Sequence, residues 1–286
     1  MSRPITSITL RFCSYMFSLS PFKVRHLLPR FVIIGILKRL NNYGSKLSQI
    51  VKVHFLSSLA ALLSVLIVGG QGVYAQSVAI GLEAAQRGDF ALALGEWQPL
   101  ADQGDADAQF YVGVLHFNGY GVTQDRNAAE KWYRLAAEQG LARAQFNLGV
   151  MFFNGYGVVQ NYSEAGKWYR LSAQQGEAQA QNNLGYMYWK GEGVQQDYLE
   201  AMTYFRLSAA QGHGQAQFSL GWMYWKGEGV VQDDVFAHMW FSIAESQGHD
   251  EGKKNRIGVE MTMTANDIAK AQLLVRDCVA LNFKGC

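Results

Sequence analysis

Between residues 106 and 249 one arrangement of apolar and polar positions is written four times, in steps of 36 residues. The most conspicuous part is a nine-residue stretch: FNGYGVTQD from Phe117, FNGYGVVQN from Phe153, WKGEGVQQD from Trp189 and WKGEGVVQD from Trp225. Before each stretch lies a segment with an invariant apolar side (Val112, Leu148, Leu184, Leu220). After it lies a segment with paired aromatics: Trp132, Trp168, Tyr204 and Trp240, each followed by Tyr133, Tyr169, Phe205 or Phe241. Each unit therefore reads as two helices joined by a glycine turn. The units are Ala106–Leu141, Ala142–Glu177, Ala178–His213 and Gly214–His249. A period near 36 marks a solenoid of helix pairs, because one hairpin cannot bury its apolar side alone.

The helix limits follow from local chemistry. The first helix is expected to start near Ala108-Gln109 and to end before Gly-x-Gly. The second is expected to start at Asp125, Asn161, Asp197 or Asp233, whose side-chain oxygens can accept an orphan backbone N–H. Glu three residues on, at Glu164 and Glu200, gives a capping-box pattern. Gly140, Gly176, Gly212 and Gly248 close the second helix in the left-handed conformation. Gly113, Gly149, Gly185 and Gly221 fall mid-helix at a cost of about 1 kcal/mol each relative to Ala. Their recurrence predicts a neighbouring helix passing too close for a side chain, with Ala129, Ala165, Ala201 and Ala237 as its contact points. Both aromatic columns are expected in the core. Gly-x-Gly here follows a helix rather than a strand, so a phosphate-binding loop is not predicted.

These residues resemble the Sel1-like repeat, a relative of the tetratricopeptide repeat. The second unit carries the match: Ala144-Gln145-Phe146-Asn147-Leu148-Gly149, Gly155-Tyr156-Gly157-Val158, Gln160, Ala165, Lys167-Trp168-Tyr169-Arg170 and Ala173-Gln174-Gln175-Gly176. The resemblance implies an all-α, right-handed solenoid that binds other proteins. Residues 76–105 read as a degenerate N-terminal repeat or cap, with Gly88-Asp89-Phe90 in place of the glycine loop. Residues 250–286 are expected to supply C-terminal capping helices, one starting at Thr264/Asp267 with Ile268, Ala271, Leu274, Val275 and Cys278 on its apolar side.

Charge divides the chain. Residues 1–75 hold nine Lys or Arg and no acid; residues 76–286 hold 16 basic and 23 acidic residues, a net of −7. That balance argues against nucleic acid, whose phosphates require clustered cations. Phe55–Val68 is a mostly apolar run behind Lys46 and Lys52, and Val73 and Ala75 stand at −3 and −1 of a cut before Gln76. Residues 51–75 are therefore expected to be a signal peptide, with an uncleaved anchor as the alternative. Localisation is expected to be periplasmic or secreted, with membrane contact only during export. Residues 1–50 fit a mis-assigned extension, with Val51 as the true initiator. Ser20-x-x-Lys23 in that segment lacks a following Lys-Thr-Gly and is not taken as a nucleophile. Cys278 and Cys286 form an even pair in a chain expected to be exported, which points to a disulfide; a free or intermolecular thiol and a metal ligand are the alternatives.

Internal copies permit a comparison within one chain. At 100° per residue, offsets 107, 111, 114 and 118 share a side of the first helix. Their chemistry changes from unit to unit: Asp107, Arg143, Gln179, Gln215; Tyr111, Asn147, Asn183, Ser219; Val114, Val150, Tyr186, Trp222; Asn118, Asn154, Lys190, Lys226. First helices line the concave wall in the related families. The stripe is therefore nominated as the partner-binding surface, through Tyr111, Asn147, Asn183, Tyr186, Ser219, Trp222, Lys190 and Lys226, with Tyr186 and Trp222 as aromatic anchors. The functional expectation is a non-enzymatic adaptor for a protein or peptide, with no cofactor, no metal and no catalytic residue. His-Glu-x-x-His, Gly-x-Ser-x-Gly and Cys-x-x-Cys are all absent. His213 and His249 mark a repeat boundary, and His116 and His238 read as packed or solvated helix residues. The alternative, a β-lactam- or peptidoglycan-related hydrolase, comes only from the cysteine-rich branch of the resembled family, whose cysteine pattern this chain lacks.

Overall fold

The computed structural model describes residues 76–286, so the expectations for 1–50 and 51–75 fall outside the described residues. Residues 80–286 form one compact unit. All regular structure among the described residues is helical. A helical segment at 76–86 (α1) is followed by α2 (Phe90–Asp102). The four units then supply α3 (Ala106–Asn118) and α4 (Arg126–Glu138), α5 (Ala142–Asn154) and α6 (Tyr162–Gln174), α7 (Ala178–Lys190) and α8 (Tyr198–Ala209), and α9 (Gly214–Lys226) and α10 (Asp234–Ser246). The chain ends with α11 (Asp250–Glu260) and α12 (Ala265–Ala280). From α2 to α11 each helix packs on the next, the stack of helix pairs that the 36-residue period requires.

The second helices start where sequence chemistry places them. Asp125, Asn161, Asp197 and Asp233 each accept backbone N–H bonds in the first turn. Asn161 and Asp197 make only that half of a capping box; Thr264 and Asp267 make both halves at the start of α12. The first helices begin two residues earlier than expected, at positions 106, 142, 178 and 214. Asp105 caps the first of them, but Leu141, Glu177 and His213 offer no side-chain cap. Sequence chemistry had no cap there to mark the start.

Two columns fill the core. First helices contribute Val112, Leu148, Leu184 and Leu220 with Leu115, Met151, Met187 and Met223, all buried. Second helices contribute Tyr133, Tyr169, Phe205 and Phe241, each at most 2% exposed. Burying one such ring contributes roughly 2–3 kcal/mol. The mid-helix glycines exist to seat these rings. A Cβ on Gly149 would stand 2.6 Å from Tyr169 Cδ1, and one on Gly221 2.6 Å from Phe241 Cδ1. The nearest neighbour is thus the ring rather than the alanine column nominated from sequence; at Gly185 the backbone oxygen of Ala201 also approaches, at 3.2 Å. The other aromatic column departs from expectation as well. Trp132, Trp168 and Tyr204 are half-buried, and only Trp240, at 2% exposed, is core. Trp240 differs because α12 folds back onto α10 and packs Leu274, Val275 and Cys278 into the same cluster.

The glycine loop holds unit to unit. The first glycine of each loop ends a first helix in the left-handed region, at φ 75° for Gly119 and 74° for Gly191. The second glycine meets the preceding unit. Gly121, Gly157, Gly193 and Gly229 lie against Phe90, Arg126, Tyr162 and Tyr198, each the first residue of the preceding second helix. The turn chemistry of a left-handed residue is therefore only half of the reason for Gly-x-Gly; close approach of two backbones is the other half.

Side-chain amides add a second inter-unit tie that sequence inspection passed over. Gln109, Gln145, Gln181 and Gln217 are buried and donate Nε2 to the carbonyls of Ala101, Ala137, Ala173 and Ala209, at 3.1–3.2 Å. In turn Gln139, Gln175 and Gln211 donate to the Oε1 of Gln109, Gln145 and Gln181, each at 2.8 Å. Gln175 and Gln211 also reach the carbonyls of Gly140 and Gly176 in the preceding unit. Buried amides satisfied in this way at Gln109, Gln145 and Gln181 fix register as well as adding stability, while Gln217 Oε1 has no hydrogen-bond partner among the described residues.

Candidate functional site

The nominated stripe crosses the first helices α3, α5, α7 and α9. In the first two units it is occupied with its own contacts. Tyr111 stacks on Trp97 with ring centroids 4.5 Å apart. Arg143 pairs with Asp107, donates to the Tyr111 hydroxyl at 3.1 Å and lies over the Phe110 and Tyr111 rings. Asn147 and Asn183 are half-buried, their amides beside the phenols of Tyr133 and Tyr169. Burial pushes both phenols well above the usual tyrosine range, and the asparagine amides pull back against that shift. Where the ring becomes Phe205 there is no hydroxyl to hold. The matching position is then Ser219, which turns onto its own helix and donates to the Gln215 carbonyl at 2.9 Å.

The stripe's variation is thus partly dictated by structure, contrary to the premise that nominated it. Asn147 and Asn183 follow their tyrosines, and Ser219 follows Phe205. Asp107 and Arg143, consecutive members of one column, carry opposite charges and pair with each other. Tyr186, Lys190, Trp222 and Lys226 supply the remaining variation, and of these Trp222 lies along the edge of the terminal core cluster.

These four residues sit in the third and fourth units. Tyr186 is 37% exposed and touches Phe153 and Trp189 edge-on, at 6.4 and 6.0 Å. Trp222 is half-buried and makes an edge contact with Trp225 at 5.2 Å. The Lys190 ammonium lies 3.9 Å from the Trp189 ring centroid. The Lys226 ammonium lies 3.9 Å from that of Trp225 and 5.2 Å from that of Trp222. Each cation rests on the quadrupole of an indole while its charge stays in solvent. The site is a face, not a pocket: side chains presented by α7 and α9, held in place by the ring columns beneath.

The seam between units 2 and 3 differs from the next one. Trp189 Nε1 donates to Glu228 Oε2 at 2.7 Å, across the boundary of units 3 and 4. One repeat earlier, Phe153 stands in place of Trp189 and has no N–H. Glu192 Oε2, the counterpart of the Glu228 acceptor, is buried and without a hydrogen-bond partner among the described residues. Phe153→Trp is therefore expected to raise stability by about 1 kcal/mol, the worth of one buried hydrogen bond. Thermal denaturation checks this; a melting temperature at or below that of the parent would show that the added indole does not reach the carboxylate.

A polar set in the C-terminal cap has the composition, but not the setting, of a catalytic triad. His238 Nε2 meets Glu260 Oε1 at 2.7 Å, and Ser242 Oγ lies 3.3 Å from Nδ1. Arg256 bridges Glu260 and Glu245, at 2.6 and 2.8 Å. The hydrogen bonds from His238 and Arg256 hold the Glu260 carboxyl below the usual range. His238 is 2% exposed, and Ser242 Oγ already donates to the His238 carbonyl at 2.8 Å. No substrate reaches an imidazole so enclosed; the network fastens α11 to α10. At the repeat boundaries, His249 stacks on Phe218 at 4.5 Å, and burial lowers the His213 pKa. Among the described residues no group of three or more His, Cys, Asp or Glu is placed to hold a metal, and no helix is long and apolar enough to cross a membrane. The Sγ atoms of Cys278 and Cys286 are bonded to each other, 2.01 Å apart.

Comparison with known proteins agrees with this architecture. The family description "Sel1 repeat" matches residues 106–141, 142–177, 178–213 and 214–249. The crystal structure of c5321, a protective antigen of uropathogenic Escherichia coli with an SLR fold, is 33% identical with a TM-score of 0.69. That similarity covers 75% of this chain but 47% of c5321, so the chain spans about half of that protein's length. A Sel1 repeat protein from Oxalobacter formigenes is 32% identical over 70% of this chain and 75% of its own, with a TM-score of 0.57. No curated protein matches. The Sel1-repeat fold is a common scaffold for protein–protein interaction. Four consecutive matches over stacked helix pairs, with solved relatives above 30% identity, place the chain in the Sel1 repeat family.

Proposed function

We propose that this protein is a non-enzymatic adaptor, exported to the periplasm or beyond, that holds a protein or peptide partner on the first-helix face. Lys190, Lys226, Tyr186 and Trp222 form its centre; Tyr111, Asn147, Asn183 and Ser219 continue the same stripe towards and between the buried rings. One observation carries the reading. Along a stripe otherwise tied to neighbouring side chains by hydrogen bonds and an ion pair, the third and fourth units present two aromatics and two cations that rest on rings: Tyr186 against Phe153 and Trp189, Trp222 against Trp225 and the edge of the terminal core, Lys190 over Trp189, and Lys226 over Trp222 and Trp225. Aromatic residues of this kind dominate binding hot spots.

Tyr186→Ala with Trp222→Ala is expected to weaken partner capture at least tenfold while the melting temperature stays within a few degrees. A crosslinking pull-down from the native envelope, with thermal denaturation of the same variant, reads both. A large fall in melting temperature would reassign the two residues to packing. The export reading draws on the Phe55–Val68 run and the Val73-Tyr74-Ala75 site. Mass spectrometry of the secreted protein should find Gln76 first; a mature chain starting well before it overturns this part. A chromogenic β-lactam should be hydrolysed no faster than in buffer.

A further inference from the structure

The contact face just described is not electrically uniform, and its asymmetry identifies the kind of partner it fits. We infer, on the basis of that adaptor reading, that the third and fourth units receive an acidic peptide segment, its carboxylates meeting Lys190 and Lys226 and its apolar side chains packing on Tyr186 and Trp222.

Three cations lie on the stripe, and one is already engaged. Arg143 is neutralised by Asp107, bonded to Tyr111 and sandwiched against two rings. Lys190 and Lys226 are exposed and have no carboxylate within ion-pair distance among the described residues. The acids closest in sequence, Glu192 and Glu228, are directed elsewhere. Glu228 accepts from the Trp189 indole, and one oxygen of Glu192 is buried beside the seam, where its charge acts on Tyr186. Both ammonium groups are also pre-positioned. Each lies over an indole, so less side-chain freedom is lost when an anion binds than for a lysine free in solvent.

The companion residues choose between anions. Two cations, on a region of net charge −7, are too few to hold a nucleic acid backbone, which needs a run of phosphate contacts. Tyr186 and Trp222 demand apolar matter within reach of the same carboxylates. A peptide with interspersed acidic and bulky apolar residues supplies both; a bare polyanion does not.

The test uses the full chain and a fluorescein-labelled random copolymer of glutamate and tyrosine, with a lysine–tyrosine copolymer, polyglutamate and a single-stranded oligonucleotide for comparison. Anisotropy should show the glutamate–tyrosine copolymer binding best, and less tightly as salt rises from about 0.05 to 0.3 M. Lys190→Gln with Lys226→Gln should cut that affinity about tenfold and flatten its salt dependence. Unchanged affinity in this variant, equal binding of the lysine–tyrosine copolymer, or preference for the oligonucleotide overturns the inference. The two readings separate cleanly. Loss on Tyr186→Ala/Trp222→Ala with the lysine variant unaffected sinks the acidic partner and leaves the contact face standing. Full copolymer binding by both variants sinks both.

Discussion

Gly193→Ala should remove about 3 kcal/mol or more of stability, the largest loss of any single methyl addition considered for this chain. Two costs add. The residue sits at φ 69°, where an L side chain costs roughly 1–2 kcal/mol. The new Cβ would also stand 2.5 Å from the Tyr162 carbonyl oxygen and 2.7 Å from the Ser163 nitrogen, backbone atoms of the preceding unit that cannot rotate away. Overpacking of that kind costs roughly a further 1–3 kcal/mol. Gly176→Ala supplies the comparison: φ is 93°, but among the described residues nothing lies within 4 Å of the added Cβ, so the left-handed penalty applies without the clash. Urea denaturation of the pair isolates the inter-unit term. Because each unit touches only its neighbours, the damage is confined to the seam between units 2 and 3, and unfolding is expected to broaden or split. Equal losses in the two variants would show that the seam gives way without cost.

Cys286→Ser should cost about 2.5 kcal/mol, from the chain-entropy of a cross-link closing a loop of this length. The bond holds a tail that the backbone alone disfavours. Asn282 and Phe283 adopt left-handed φ values of 50° and 64°, and Phe283 packs into the terminal core cluster, its ring also 3.6 Å from the Cβ position of Gly212 in the turn after α8. Without the cross-link, the strained pair relaxes and the ring leaves. Hydrogen exchange should then rise first in α12, since that helix covers Trp240 and Ile243 of α10. A variant with the parent's melting temperature and an equally protected α12 would show that helix packing alone retains the cap.

Much of this was legible before any coordinates. A period of 36 with Asp or Asn ahead of each second helix sets pairing and helix starts through local rules, and those rules hold. The misses are where a residue answers to a distant one. Nothing near Asn147 in sequence reveals that Tyr133 holds it, fourteen residues and one helix away. The stripe at 147, 183 and 219 looked free to vary because its dependence on 133, 169 and 205 crosses a unit boundary. The same is true of the buried glutamines. Each Gln at the start of a first helix looks like an ordinary polar helix residue, and only stacking brings it against the carbonyl of the unit before. Trp132 and Trp168 share the spacing of Trp240, yet only the last is enclosed, because α12 returns to the fourth unit alone. Tyr186 and Trp222 are visible to comparison of copies, whereas the lysines' lodging on indoles needs side-chain geometry.

The seat of each second glycine on the start of the preceding helix makes the chain's length quantised. Taking one residue out of a loop lifts a backbone off its neighbour and breaks a joint. Taking out 178–213 whole leaves Gly229 facing Tyr162 where it faced Tyr198, one tyrosine for another at the same place in the helix. Such a molecule can grow or shrink by entire hairpins, and between those sizes it has no well-packed form to occupy.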